Sequence, residues 1–171
     1  MNLHNKTVLF IDLDNTLIKT ISDKTFPEDI TDFRIQLPVL DKIIEKLPNL
    51  EYFFIVTNQG GINTFFGRNE FEAKLYSIEY FCRDYLSSNL SNFYGCASYY
   101  CDSLDKENKY RKPNTGMLES AIKEHWRCNN VNNYIMIGDA SGKEGDFSNS
   151  DKKCAENFGI DYIDVRDFLN L

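Results

Sequence analysis

Four short apolar runs punctuate the chain, at residues 7–12, 51–57, 134–138 and 160–165, with side chains such as Val8, Phe10, Ile55, Met136 and Ile163. Continuous runs of this length, with little polar alternation, predict strands covered on both faces, as in a parallel sheet. A weaker run at 96–101 is compatible with one more strand. Between the runs the apolar spacing lengthens: Leu40, Ile43, Ile44 and Leu47, then Phe71, Leu75, Ile78, Phe81, Cys82 and Tyr85, recur at helical intervals. Strands alternating with helices predict crossover units and a mainly parallel sheet, hence an α/β fold. Ser150 is placed to cap a helix running through Asn157, with Gly159 to stop it. No repeat, low-complexity tract or linker interrupts the pattern, so residues 1–171 are expected to form a single domain.

The stretch 17–37 exceeds the roughly 2 to 6 residues of an ordinary strand-to-helix loop and predicts a small flap beside the end of the first strand. An apolar content of 42% is that of a folded globular domain, and the net charge of -7 disfavours broad, sequence-independent nucleic-acid binding, which needs many Lys and Arg contacts to phosphates. No stretch approaches the roughly 18 apolar residues of a membrane span, and the first residues lack the apolar core of a secretory signal. A soluble, intracellular protein with no membrane partner is the expectation. Cys82, Cys96, Cys101, Cys128 and Cys154 form no CxxC pair, and an odd number of cysteines argues for free thiols.

The chemistry concentrates where the strands end. Asp12-Leu13-Asp14-Asn15-Thr16 follows the first run directly, so two carboxylates stand two residues apart at the edge where open α/β sheets bind ligands. Paired carboxylates raise each other's pKa unless a cation shares them, and a hard cation beside phosphate oxygens is the natural partner. One carboxylate can then attack phosphorus while the other handles the leaving-group proton. Thr57-Asn58-Gln59-Gly60-Gly61 closes the second run and offers a hydroxyl and backbone N–H groups to phosphate oxygens. Lys112-Pro113 precedes a helix expected from Thr115, Gly138-Asp139 follows the fourth run, and Asp151 opens the helix after it. Taken singly, each is also an ordinary turn, cap or surface lysine. Their order along the chain carries the reading.

That ordered set resembles the four motifs of the haloacid dehalogenase (HAD) phosphohydrolase superfamily. Within it the chain is similar to the 3'-phosphatase domain of polynucleotide kinase/phosphatase, through 17–20 with Phe26-Pro27, 32–35, 57–62, 110–117, 138–143 and Asp146-Phe147-Ser148 followed by Asp151 and 155–160. The resemblance runs from about Val8 to Phe168. It implies a three-layer Rossmann-like fold without a large cap domain, and removal of the 3'-phosphate from DNA ends in DNA repair, with Mg²⁺ as cofactor. By the same resemblance Asp12 is the nucleophile, Asp14 the general acid and then base, and Thr57 and Lys112 hold the phosphoryl group. Asp12, the Asp14 backbone carbonyl and Asp139 would bind Mg²⁺. Asp151 is the second acid of the last motif, a metal ligand or a partner of Lys112, with Asp146 competing for the place.

Substrate contacts are expected from Thr57, Asn58, Arg111, Lys112, Lys143 and Arg68. Phe65-Phe66-Gly67-Arg68 either stacks on an unpaired base or packs as a staple on the next helix. Tyr99, Tyr100 and Trp126 are assigned to the core and His125 to a helix end. Asn15 stands where the family usually has Gly, and Lys143 where it more often has Arg. No Gly-x4-Gly-Lys-Ser/Thr loop is present for kinase chemistry, and Cys96 and Cys101, read as strand residues, lack the histidines of a zinc loop. The expected partners of a monomer are DNA ends bearing a 3'-phosphate, on which it acts, and separate repair proteins. Two alternatives stay open: a HAD phosphatase for a small phosphorylated sugar or nucleotide, and a non-catalytic DNA-end-binding module.

Overall fold

The computed structural model describes residues 3, 5–24, 27, 29–62, 66–131 and 133–171, without the Asn129 side chain. Phe26 and Phe65 lie outside the described residues, so the readings resting on them do too.

Five parallel strands form the central sheet: β1 (Thr7–Ile11), β4 (Leu50–Asn58), β5 (Gly95–Cys101), β6 (Asn133–Gly138) and β7 (Asp161–Asp164), in the order β5-β4-β1-β6-β7. Every residue of β1 is buried, because the strand pairs on both sides: Ile11 lies opposite Ile55 in β4 and opposite Ile137 in β6. Its period of two sorts the core into two layers. Leu9 and Ile11 point, with Phe53 and Ile55, into a cluster under α1 (Leu37–Lys46), α2 (Arg68–Asn89) and α5 (Val165–Leu169). Val8 and Phe10, with Phe54 and Val56, face α3 (Gly116–Glu124) and α4 (Ser150–Phe158). The α/β fold expected from the periodicity is therefore present, in the three layers that the family resemblance implies. Among the described residues, no helix is long and apolar enough to cross a membrane.

The chain leaves β1 toward β4 and β5, then returns to add β6 and β7 on the other side. Such a reversal opens a crevice at the strand ends, where α/β folds hold ligands. The stretch after β1 forms the expected flap, a two-stranded antiparallel hairpin of β2 (Ile18–Lys19) and β3 (Arg34–Ile35). Asp32 pins its tip by accepting the Ile21 and Ser22 N–H groups at 2.8 Å each and the Ser22 hydroxyl at 2.6 Å.

Two local readings change. Asn149, not Ser150, is the N-cap of α4, and the hydroxyl of Ser148 receives the Ser150 N–H at 3.3 Å; Gly159 does end the helix, with φ +79°. Trp126 lies on the surface with Arg127 over its ring, since it starts a 3-10 turn between α3 and β6. Phe66 stacks on Phe71 at 6.1 Å, the staple arrangement of the residue before an N-cap against the first turn of its helix. His125 does cap the end of α3, and all five cysteines are free and buried.

Candidate active site

The sharpest feature of the crevice is a buried lysine between two carboxylates. Lys112 Nζ lies 2.5 Å from Asp12 Oδ1 and 2.8 Å from Asp151 Oδ1, and donates its third bond to the Val56 carbonyl at 2.8 Å. All three ammonium hydrogens are thus spoken for. The three residues come from widely separated parts of the chain: the end of β1, the first turn of α4 and the loop before α3. Lys112 is only 3% exposed and Asp151 only 1%, so water screens these charges weakly. Burial pulls the Lys112 pKa down, but Asp12 and Asp151 outweigh it and hold the ammonium charged above its usual range.

Around this pair, negative charge is in excess. Carboxylate oxygens of Asp12, Asp139 and Asp151 all fall within 4.8 Å of one another. Burial pushes the Asp12 carboxyl well above the ordinary range, with Asp151, Asp139 and Asp14 adding to it and Lys112 opposing. Asp139 is pushed up to about 6, by burial first and then by Asp151. One ammonium does not balance three crowded carboxylates, and hard oxygen donors at this spacing suit a hard divalent cation. Gly138 makes the approach possible: a Cβ there would meet Asp151 Oδ2 at 2.2 Å.

Backbone geometry holds the parts in place. The Asp12 N–H donates to the Ile137 carbonyl at 2.9 Å, tying the end of β1 to β6. The loop after it winds back, with Leu17 and Ile18 N–H groups both donating to the Leu13 carbonyl at 2.9 Å, and Asn15 takes φ +59°, the left-handed angle that asparagine reaches more readily than most residues. Asn58 clamps the Lys112 peptide groups from both sides: its Oδ1 accepts the Lys112 N–H at 2.9 Å and its Nδ2 donates to the Lys112 carbonyl at 3.0 Å. One amide hydrogen and the amide oxygen of Asn58 are therefore engaged by the lysine loop. Gln59 Nε2 donates to Asp14 Oδ2 at 2.6 Å and to Thr57 Oγ1 at 3.0 Å.

Asp12, Lys112, Asp139 and Asp151 thus converge, and Asp14 and Thr57 are joined to each other through Gln59. The side chain of Asp14 stands outside the carboxylate cluster. Asp146 does not compete with Asp151: its Oδ2 accepts Ser141 and Lys143 N–H groups at 3.1 and 3.0 Å and its Oδ1 pairs with Arg166 at 2.9 Å, so it closes the loop after β6.

The outer basic residues are less available than the sequence suggests. Lys143 pairs with Asp167 at 2.8 Å and Asp164 at 3.3 Å, and Arg68 with Asp102 and the Tyr100 hydroxyl. Arg111 donates to the Ser103 carbonyl at 2.8 Å while lying beside Gly60. Phe147, in contrast, is 91% exposed on the loop that Asp146 closes.

Sequence reasoning overlooked Gln59 as an individual residue and Lys74 altogether. Lys74 is buried on α2, its ammonium 4.8 Å above the Phe33 ring of the flap and facing Asp14 and Asp32. A lysine on a helical stripe gives no sign of burial until the flap is folded over it.

A family profile described as polynucleotide kinase 3 phosphatase matches residues 7–168. The bifunctional polynucleotide phosphatase/kinase of Schizosaccharomyces pombe is 32% identical over 168 residues, which is 96% of this chain and 38% of that protein. This chain therefore spans well under half of that relative. An uncharacterised 20.8 kDa protein of Autographa californica nuclear polyhedrosis virus is 28% identical over 94% of this chain and 84% of its own length. Among solved structures, the D,D-heptose 1,7-bisphosphate phosphatase of B. bronchiseptica, complexed with magnesium and phosphate, superposes with a TM-score of 0.61 at 18% identity, over 92% of this chain and 78% of that one.

Proposed function

Since the chain belongs to the polynucleotide kinase 3 phosphatase family, we propose that it is a phosphatase that removes the 3'-phosphate from a DNA end through an aspartyl-phosphate, in the service of end repair. The observation that carries the chemistry is the buried Asp12–Lys112–Asp151 arrangement. A carboxylate held in place by a permanently charged lysine is a nucleophile with its countercharge already positioned, and phosphoryl transfer depends mostly on such positioning.

In this reading a carboxylate oxygen of Asp12 attacks phosphorus as the bond from phosphorus to the 3'-oxygen breaks. Asp14 gives its proton to that oxygen, releasing a 3'-hydroxyl. Asp14 then takes a proton from water, whose oxygen attacks the same phosphorus and frees inorganic phosphate and the Asp12 carboxylate. Thr57 donates to a phosphoryl oxygen, and Lys112 neutralises charge on the covalent intermediate. Asp12, Asp139 and Asp151 fit a divalent cation by donor type and spacing. Mg²⁺, the ion named with the similar heptose bisphosphatase, would be held by them with the Asp14 carbonyl and would neutralise phosphoryl charge.

The choice of a polynucleotide end rests on the family and on the small size of the described flap, a two-stranded hairpin. Exposed Phe147 is suited to lie against a base. Phosphate release from matched 3'- and 5'-phosphorylated oligonucleotides and from histidinol phosphate, with and without Mg²⁺, tests the proposal. Release from the 3'-phosphate alone, dependent on Mg²⁺, is expected; preference for histidinol phosphate would replace the DNA reading with the small-molecule one.

A further inference from the structure

Gln59 is 8% exposed, and its backbone N–H donates to the Cys101 carbonyl at 2.7 Å, which fixes it to the end of β5. From there its side chain turns into the crevice and spends both amide hydrogens, one on Asp14 Oδ2 at 2.6 Å and one on Thr57 Oγ1 at 3.0 Å. A primary amide has two N–H donors, so neither is left over. The amide nitrogen faces both acceptors; against an ionised carboxylate, which only accepts, turning the amide over would bring two acceptor oxygens together.

Each bond has a consequence for a hydrogen elsewhere. Asp14 Oδ2 is occupied as an acceptor, so a proton on Asp14 resides on Oδ1. The Thr57 hydroxyl accepts from Gln59, so its one hydrogen is free to point to another acceptor. Lys112 offers none, since an ammonium has no lone pair; a phosphoryl oxygen does. We infer that Gln59 is a positioning residue that aims two hydrogens at the substrate at once, the Asp14 proton at the leaving oxygen and the Thr57 hydrogen at the phosphoryl group. The inference rests on the phosphatase reading above and adds a residue to it. It also explains why a glutamine is needed: glutamate has no donor for either group, and methionine has the length without the hydrogens.

The two bonds affect different steps. Protonation of the leaving group matters for an alkyl ester such as a 3'-phosphate and little for p-nitrophenyl phosphate, whose anion leaves unaided. The value of kcat/KM reports the phosphorylation of Asp12, whereas kcat includes hydrolysis of the aspartyl-phosphate, for which Asp14 must take a proton from water. Gln59→Met is therefore expected to lower kcat/KM for a 3'-phosphorylated oligonucleotide by about 30-fold or more, a part of the roughly 10²- to 10⁴-fold that general acid catalysis supplies. For p-nitrophenyl phosphate the fall is expected to be about fivefold at most, the share of Thr57. The aryl ester should then show a burst approaching one p-nitrophenolate per chain, as hydrolysis of the intermediate becomes limiting. In an Asp14→Asn background, Gln59→Met should cost the oligonucleotide reaction no more than the Thr57 share, because two residues acting as a unit do not add.

Circular dichroism and thermal unfolding establish that each variant is folded. If Gln59→Met is not, Gln59→Glu keeps the shape and the backbone bond to Cys101, and the same split is expected. Equal losses on the two substrates, or a full additive loss in the Asp14→Asn background, overturn the inference and leave Gln59 a purely structural residue. If Asp14→Asn alone shows no dependence on the leaving group, the acid assignment in the proposed function fails first, and this inference fails with it.

Discussion

At the scale of single residues, the site is a problem of charge crowding. Asp12 and Asp151 share one buried lysine with Asp139 crowded beside them, and each substitution shifts that balance in a defined way. Asp12→Asn keeps the volume and can still accept from Lys112, so it is expected to fold with an unchanged circular dichroism spectrum. An amide cannot form the acyl phosphate, so phosphatase activity should fall by about a thousandfold or more; turnover near the native rate removes Asp12 as nucleophile. Gly138→Ala tests the close approach behind it. The added methyl would sit 2.2 Å from Asp151 Oδ2, and that carboxylate is buried against Lys112. The expected cost is about 1–3 kcal/mol in thermal unfolding, typical of overpacking, together with at least about a tenfold loss of activity. Gly145→Ala is the control: its φ of +89° gives backbone strain, but the new methyl meets nothing within 4 Å. A stability loss of roughly 1 kcal/mol with activity retained is expected there. The sequence announced Asp12, Thr57 and Asp139 through their places after strands, and Lys112 through its place in the motif order before a helix. It did not announce that Asn58 serves the Lys112 peptide groups, nor that Lys74 is buried beside Asp14, because both facts depend on contacts across about fifty residues of chain.

At the scale of elements, the end of the sheet beside the site is fastened by a second ionic group. Asp164 caps α5 through the Arg166 N–H at 2.9 Å, and the Arg166 guanidinium pairs with both Asp164 and Asp146. Burial alone would raise the Asp164 pKa, but its bonds from Arg166 outweigh that and hold it below the ordinary carboxylate range. A folded pKa below the unfolded one means that the unfolded chain binds the extra proton as pH falls. The stability from Asp164 is therefore complete at neutral pH and is lost below about pH 4. Asp164→Ala is expected to cost about 1–2 kcal/mol at pH 7, the usual effect of losing a cap, with native and variant stabilities converging toward pH 2. Urea unfolding at several pH values checks this, and a constant gap down to pH 2 contradicts it. The elements themselves were legible because their periods differ: strands of buried residues read as unbroken apolar runs, and helices as repeats of three and four. What periodicity did not reach was the cap at Asn149 and the surface position of Trp126, which depend on how the chain leaves an element.

At the scale of the whole molecule, the net charge of -7 and the pairing of basic side chains set the terms for any polyanion. Lys143, Arg68 and Arg166 already have carboxylate partners, so each of these has to exchange an ion pair before it displaces a counterion. Binding of a single-stranded 3'-phosphorylated oligonucleotide by the Asp12→Asn variant should show a log–log salt slope corresponding to no more than about three phosphate contacts. A steep slope, like that of basic DNA-binding proteins, contradicts this. Arg68→Ala is expected to leave KM for the same oligonucleotide within about twofold, since its charge is spent on Asp102 and the Tyr100 hydroxyl. By itself the sequence determined the alternation of elements, the parallel sheet and the acidic strand ends, because hydrophobic period and motif order are properties of neighbouring positions along the chain. The tertiary structure decided which of those charges meet. It chose Asp151 over Asp146 as the partner of Lys112, and it spent Lys143 and Arg68 on local carboxylates. Pairing between charges is fixed by distances of about 3 Å across the fold, and no pattern along the chain encodes a distance of that kind.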